Sequence, residues 1–167
     1  MKRLFDLLIA TVSTVIFFIP LLIIYFSIKV NTKGNPIYWS DRVGKDNKIF
    51  KMPKFRTMII NTPELATNEL EDPYQWLTPI GSFLRKSSLD ELPQIFSVFV
   101  GKMSFVGPRP ALYNQYNLIE MRTEVGVHKL LPGITGWAQI NGRDTITLKK
   151  KVQYDKYYLT KKSFLFD

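Results

Sequence analysis

No cysteine occurs among the 167 residues, and His128 is the only histidine. That scarcity excludes thiolate catalysis, disulfide stapling and any zinc site built from several Cys or His ligands, so metal chemistry here has to use oxygen ligands. Glycine-rich phosphate loops are missing as well. Neither Gly-x-x-x-x-Gly-Lys-[Ser/Thr] nor Gly-x-Gly-x-x-Gly is present, which leaves a P-loop or dinucleotide-binding fold without sequence support. There is no internal repeat and no low-complexity tract. Acidic residues are the minority, 14 against 23 Lys and Arg, for a formal charge of +9. Such an excess points to an anionic partner: nucleic acid, a phosphorylated substrate or an anionic lipid surface. With 46% hydrophobic and 14% aromatic residues, the chain has the material for one folded domain rather than a disordered scaffold.

Charge is also absent from the 22 residues Leu7 to Ile28, the length a helix needs to cross about 30 Å of hydrocarbon. A cleaved signal peptide has a shorter apolar region, and a soluble core helix would show a polar stripe. The expectation is therefore a membrane segment over residues 1–30. Pro20 lies in its interior and removes one backbone donor, which predicts a kink or break at Ile19-Pro20. Lys2 and Arg3 precede the run while Lys29 and Lys33 follow it, so the positive-inside rule does not orient a straight span. Both a re-entrant segment with its two ends on the cytoplasmic face and a kinked spanning helix fit these residues.

Residues 31–167 read as a small basic α+β domain of helices with a short β-hairpin. Ile37-Tyr38-Trp39 and Ile49-Phe50-Lys51 are β-prone runs around the polar stretch Gly44 to Asn47. Asn61 to Pro79 contains no Lys or Arg and predicts a short acidic helix between loops. Leu89, Leu92, Ile95, Phe96, Phe99 and Val100 follow helical spacing. Leu112–Met121 is a further helical candidate, Leu131–Trp137 is turn-rich, and Leu148–Leu159 predicts an amphipathic helix among lysines, suited to an anionic surface.

In Ser87-Ser88-Leu89-Asp90-Glu91-Leu92-Pro93, two adjacent carboxylates fall at the first turn of the predicted helix. Ser88 with Glu91 matches a capping box, which by itself accounts for both residues structurally. The same helix end would keep Asp90 ionised and attract a phosphate. Basic residues recur in nearby loops: Arg42, Lys54, Arg56, Arg85, Arg109 in Gly107-Pro108-Arg109-Pro110, and Arg143 after Asn141-Gly142. Arginine on a rigid Pro/Gly turn suits forked recognition of phosphate oxygens, although each residue singly is more often a solvated surface group. His128 reads as structural or exposed.

Five ordered segments cover nearly the whole chain: Lys2-Arg3-Leu4-Phe5-Asp6; Lys54-Phe55-Arg56-Thr57-Met58; Ser88-Leu89-Asp90-Glu91-Leu92-Pro93-Gln94; Gly101-Lys102-Met103-Ser104-Phe105-Val106-Gly107-Pro108-Arg109-Pro110; and Pro132-Gly133-Ile134-Thr135-Gly136-Trp137-Ala138-Gln139-Ile140-Asn141-Gly142-Arg143. In these the sequence resembles the bacterial sugar transferases, monotopic phosphoglycosyl transferases that start glycan assembly on a polyprenyl phosphate. The resemblance implies transfer of a sugar 1-phosphate from a UDP-sugar to undecaprenyl phosphate with release of UMP. It implies Asp90 as the nucleophile, through an aspartyl-phosphosugar intermediate, and Glu91 as a proton-handling partner or, with Asp90, a Mg²⁺ ligand. Arg85, Arg109 and Arg143 become the expected phosphate-binding residues, with Lys54 and Arg56 beside them. It further implies a re-entrant helix broken near Pro20, placed in the bacterial inner membrane with residues 31–167 in the cytoplasm, among membrane lipids and without nucleic acid. Two departures stand out: the family usually breaks this helix at a Ser-Pro pair, where Ile19 precedes Pro20 here, and it commonly continues past Ser163–Asp167 into another helix. The rival from another class is a membrane-anchored basic module that holds anionic lipid or nucleic acid. That rival accounts for the charge and the anchor but leaves the acidic pair among the arginine-bearing turns without a purpose.

Overall fold

A computed structural model describes residues 1–63, 65, 72–142 and 145–167. Its first element, α1 (Lys2–Asn31), is the one helix among the described residues that is long and apolar enough to cross a membrane. Thr11 and Thr14 turn their hydroxyls back onto the carbonyls of Leu7 and Ala10, at 2.9 and 2.8 Å, so these polar atoms are satisfied within the helix. Pro20 lies inside α1 without dividing it: every residue from 2 to 31 is helical. The break expected at Ile19-Pro20 is thus not a gap between two helices, because the φ of proline is itself helical and its cost is one missing donor and a crowded carbonyl.

One stripe of α1 faces the rest of the protein. Asp6, Ala10, Ile24 and Ile28 are buried, with Thr14, Phe17, Leu21 and Tyr25 half-buried between them, at the spacing of three or four that marks a single helix face. The opposite face exposes Leu8, Val15, Ile19 and Phe26. The N-terminal end is fixed by polar contacts. Asp6, only 3% exposed, accepts from the Ser104 hydroxyl at 2.8 Å and the Phe105 amide at 3.1 Å. Arg3 donates to the carbonyls of Val98 and Phe99, while Lys2 bonds the Val106 carbonyl, the Tyr158 hydroxyl and the Asp167 carboxylate.

The expected hairpin is present. Strands β1 (Ile37–Val43) and β2 (Ile49–Phe55) pair antiparallel in a register that sets Tyr38 opposite Lys54, Ser40 opposite Met52 and Arg42 opposite Phe50. Directly opposed residues share a face. Accordingly Phe50 and Met52 enter a core with Ala10, Ile95, Val98 and Met103, and Lys54 continues the same row. A second cluster joins Ile24 and Ile28 of α1 to Phe55 and Leu84, the latter on α2 (Gly81–Lys86).

The helix expected from Leu89 to Val100 is two elements instead. Leu89–Gln94 forms a 3₁₀ helix, and the α-helix α3 starts only at Ile95 and runs to Phe99. Pro93 explains the change, since it cannot donate the bond an α-helix over Leu89 would need. Ser88 makes no capping bond and adopts a left-handed φ of 57°, so the expected capping box is not formed. Strand β3 (Ser104–Val106) then pairs parallel to β4 (Gly133–Thr135), which occupies the segment read as turn-rich. Helix α4 (Tyr116–Glu124) starts four residues later than Leu112, whose amide is bonded by the Gln115 side chain. After α5 (Trp137–Ile140), the expected amphipathic helix appears as α6 (Leu148–Lys161), with Val152, Asp155 and Tyr158 buried. Val152 joins Ala111 and Leu118 in a third cluster. The acidic helix expected within Asn61–Pro79 falls on residues 64 and 66–71, outside the described residues; Pro73–Trp76 beside it is a 3₁₀ turn capped by Asp72.

The anchoring of α1 is open to a direct stability test. Asp6→Ala strips the acceptor from both the Ser104 hydroxyl and the Phe105 amide and should cost about 1–3 kcal/mol. Thermal unfolding in detergent should show a lower midpoint for Asp6→Ala than for the exposed control Leu8→Ala, and equal midpoints would remove Asp6 as an anchor.

Candidate active site

The 3₁₀ turn that holds Asp90 and Glu91 packs against β2, and this contact brings the acidic pair to Lys54. Glu91 accepts from Lys54 Nζ at 3.0 Å through Oε1 and takes the guanidinium of Arg109 on both oxygens, at 2.6 and 3.2 Å. Both cations are mostly buried. Burial alone would raise the pKa of Glu91. The fork of Arg109 and the charge of Lys54 outweigh it and hold the carboxyl well below the usual range.

Arg109 is set by its backbone. The carbonyls of three successive residues in the Pro108-Arg109-Pro110 turn are each taken by a different element: Pro108 by the Gly133 amide of β4 at 3.0 Å, Arg109 by Arg122 of α4 at 2.8 Å, and Pro110 by Arg42 of β1 at 3.2 Å. Arg122 is held in turn by Asp155 of α6, at 2.6 and 2.9 Å. The turn begins where Gly107 and Gly133 lie backbone to backbone; a Cβ on either would collide with main-chain atoms of the facing segment, so the close approach needs glycine.

Asp90 behaves differently from its neighbour. It is 8% exposed, and among the described residues its carboxylate accepts no hydrogen bond. Burial pushes its pKa up, and the adjacent Glu91 adds to this, while Lys54, Arg85 and Arg109 pull it down. The expectation that a helix dipole keeps Asp90 ionised is therefore corrected: a short 3₁₀ turn has little dipole, and desolvation is the larger effect. The Lys54 ammonium is pushed down to about 8 by burial and by Arg109, against the pull of Glu91.

These side chains line one cleft of about 470 Å³, together with Tyr38, Ser40, Arg42, Arg56, Arg85, Arg122 and Lys151. Of the residues expected from sequence, the cleft gathers Asp90, Glu91, Lys54, Arg56, Arg85 and Arg109. Arg56 is engaged by its Nε on the Asn35 carbonyl at 2.7 Å and lies over the Tyr38 ring. Arg143 falls outside the described residues. His128, read as structural or exposed, is half-buried away from the cleft. Sequence reasoning missed Arg122 and Asp155. Asp155 carried a usable signal, being the one acid on the apolar stripe of α6 with Val152 and Tyr158. Among the described residues no three His, Cys, Asp or Glu side chains cluster as a metal cage.

Residues 1–167 match the family model described as bacterial sugar transferase. The chain is 40% identical over 170 residues to an uncharacterized sugar transferase of Bacillus subtilis, covering 100% of this chain and 81% of that protein. It is 37% identical over 175 residues to the UDP-glucose:undecaprenyl-phosphate glucose-1-phosphate transferase of Escherichia coli, covering 100% of this chain and 38% of that protein. Against an uncharacterized sugar transferase of Haemophilus influenzae the identity is 37% over 174 residues, covering 95% of this chain and 36% of that protein. The chain thus spans little more than a third of the length of the Escherichia and Haemophilus relatives.

The contrast between the two carboxylates predicts opposite stability effects. Glu91→Gln leaves Arg109 and Lys54 mostly buried without their carboxylate and should cost about 3 kcal/mol at neutral pH. Asp90→Asn removes a buried group whose raised pKa makes its ionised form unfavourable at that pH, and should be neutral or slightly stabilising. Denaturant unfolding of the two variants at pH 7 gives the comparison, and equal losses would contradict the assignment.

Proposed function

This chain belongs to the bacterial sugar transferase family, and from that premise we propose that it moves a sugar 1-phosphate from a UDP-sugar to a polyprenyl phosphate, with Asp90 as the nucleophile. One observation carries the reading: Glu91 is locked between Arg109 and Lys54, whereas Asp90 stands near the same cations and, among the described residues, accepts no hydrogen bond, on the wall of the cleft. An Asp90 oxygen attacks the phosphorus that bears the sugar. The bond from that phosphorus to the bridging oxygen breaks, its electron pair leaves with UMP, and an acyl phosphate remains. A polyprenyl phosphate oxygen then attacks the same phosphorus, and the phosphorus–oxygen bond to Asp90 breaks with its electron pair returning to the carboxylate, which releases a polyprenyl diphosphate sugar. A carboxylate approaching a diphosphate meets like charge at every step, and Arg109, Lys54 and Arg85 lower that barrier. Glu91 serves by keeping Arg109 and Lys54 in place.

Magnesium fits the donor set in a limited way. Asp90 supplies one carboxylate, and a hard cation that keeps water and draws its other ligands from substrate phosphates asks no more of the protein. When bound, it supplies neutralisation of charge on the phosphoryl oxygens. Glu91 accepts from Lys54 and Arg109 on both oxygens and is the second proposed ligand beside Asp90, since a carboxylate offers about four lone-pair sites.

We further propose that α1 is re-entrant, in the cytoplasmic membrane of a bacterium, with both ends and the catalytic domain on the cytoplasmic side. In support, Arg3 and Asp6 at one end and Ile24 and Ile28 at the other pack on the same domain, while the outer face is apolar and exposed. A helix whose two ends both pack on one domain keeps those ends on one side of the bilayer while its apolar outer face enters it. Single cysteines placed at Met1 and Asn31 of this cysteine-free chain should both be shielded from a membrane-impermeant thiol reagent in intact cells. Labelling of only one of them from outside would establish a spanning helix.

For the reaction, detergent-solubilised protein with Mg²⁺ and a panel of UDP-sugars should release up to one UMP per site without lipid acceptor, and turn over repeatedly once undecaprenyl phosphate is added. Asp90→Asn should abolish both. A membrane-anchored binding module would release no UMP, and release that strictly requires both substrates would replace the covalent route by direct attack of the lipid phosphate.

A further inference from the structure

Among the described residues the wall of the cleft is rich in cations. Arg42, Lys54, Arg85 and Arg109 face Asp90 and Glu91, while Arg122 is matched by Asp155. Arg42 is the least explained of these cations. It is partly buried on β1, on the same hairpin face as Lys54. Its Nε donates to the Ser40 hydroxyl at 3.0 Å and its Nη1 to the Pro110 carbonyl at 3.2 Å, both neutral acceptors. Among the described residues it makes no ion pair, and burial with the nearby charge of Arg109 pushes its pKa down to about 10. A guanidinium oriented by two neutral acceptors, under the field of a second guanidinium and facing a cleft, is pre-set to receive an anion.

Resting on the reading of the cleft as a UDP-sugar site, we propose that Arg42 binds the uridine-side phosphate of the donor diphosphate. Arg109 and Lys54 flank Asp90, where the transferred phosphoryl group has to sit. Arg42 is tied to the next carbonyl along the same turn, Pro110, and its charge acts on Lys54 as that of Arg109 acts on Arg42, so the three cations share one wall of the cleft. The Ser40 hydroxyl and the Pro110 carbonyl occupy Nε and Nη1, which fixes the plane of the guanidinium before a ligand arrives. A single side chain thereby reads the diphosphate of the donor as distinct from the monophosphate of the acceptor.

The test is equilibrium binding of three probes, UDP, uridine and farnesyl phosphate, to the full chain in detergent, for the wild type, Arg42→Gln and Arg42→Lys. UDP should bind at least tenfold more weakly to Arg42→Gln and about threefold more weakly to Arg42→Lys, which keeps the charge but not the fork. Uridine and farnesyl phosphate should bind all three proteins alike. Loss of all probes together with a lowered unfolding temperature would reduce Arg42 to a strut of the Pro110 turn, and selective loss of farnesyl phosphate would place it on the acceptor; either overturns the proposal. Unchanged UDP binding in both variants overturns it while leaving the functional reading standing. A wild type that binds no UDP would remove the functional reading itself.

Discussion

Everything at the cleft depends on one carboxylate held by two cations. Glu91 draws Lys54 from the hairpin and Arg109 from the Pro108–Pro110 turn onto the 3₁₀ turn between α2 and α3, so three distant stretches of chain meet at a single side chain. Burying three charges is expensive, and the arrangement is sustained by the two-pronged fit of guanidinium to carboxylate. The strained φ of Ser88 fits the same account. A left-handed serine costs of order 1 kcal/mol, and it persists because the residues on either side of it are held from several directions. The result is an asymmetric pair: one acid fixed between two cations, its neighbour buried and, among the described residues, accepting no hydrogen bond.

The floor of this arrangement is α1. It contributes Ala10 to one hydrophobic cluster and Ile24 and Ile28 to another, and both clusters include residues of β2, the strand that carries Lys54. A helix with the composition of a membrane segment is therefore also core material for the fold that carries the cleft. Asp6 shows how the two roles coexist, since its carboxylate is affordable in apolar surroundings only because Ser104 and Phe105 satisfy it. On the proposed topology the cleft is held at the bilayer surface, where a soluble nucleotide and a lipid phosphate can both reach it.

Much of this was legible in the sequence, and the parts that were not share a cause. An uncharged run gave α1, apolar residues set among lysines gave α6, and two β-prone runs around Gly44–Asn47 gave the hairpin, because those signals are local. Ser88 and Glu91 looked like a capping box by the same local logic. That reading failed because Glu91 has better partners in Lys54 and Arg109, 37 and 18 residues away in sequence, and Pro93 prevents the α-helix that the cap would serve. Arg109 was legible as a rigid arginine between two prolines. Of its supports, the Gly133 amide comes from the parallel pairing of β3 and β4, and Arg122 with Asp155 from the packing of α4 on α6, and no local pattern announces either. The family resemblance pointed to Asp90 and Glu91 together, and only the geometry separates what each of them holds.

The division of labour between these two acids is the central claim, and intact-mass analysis with peptide mapping after rapid quenching tests it most directly. After exposure to a UDP-sugar and Mg²⁺ without lipid acceptor, the added mass of one sugar phosphate should map to Asp90. It should still form, to a smaller extent, on Asp90 in Glu91→Gln. An adduct mapped to Glu91 would contradict the account.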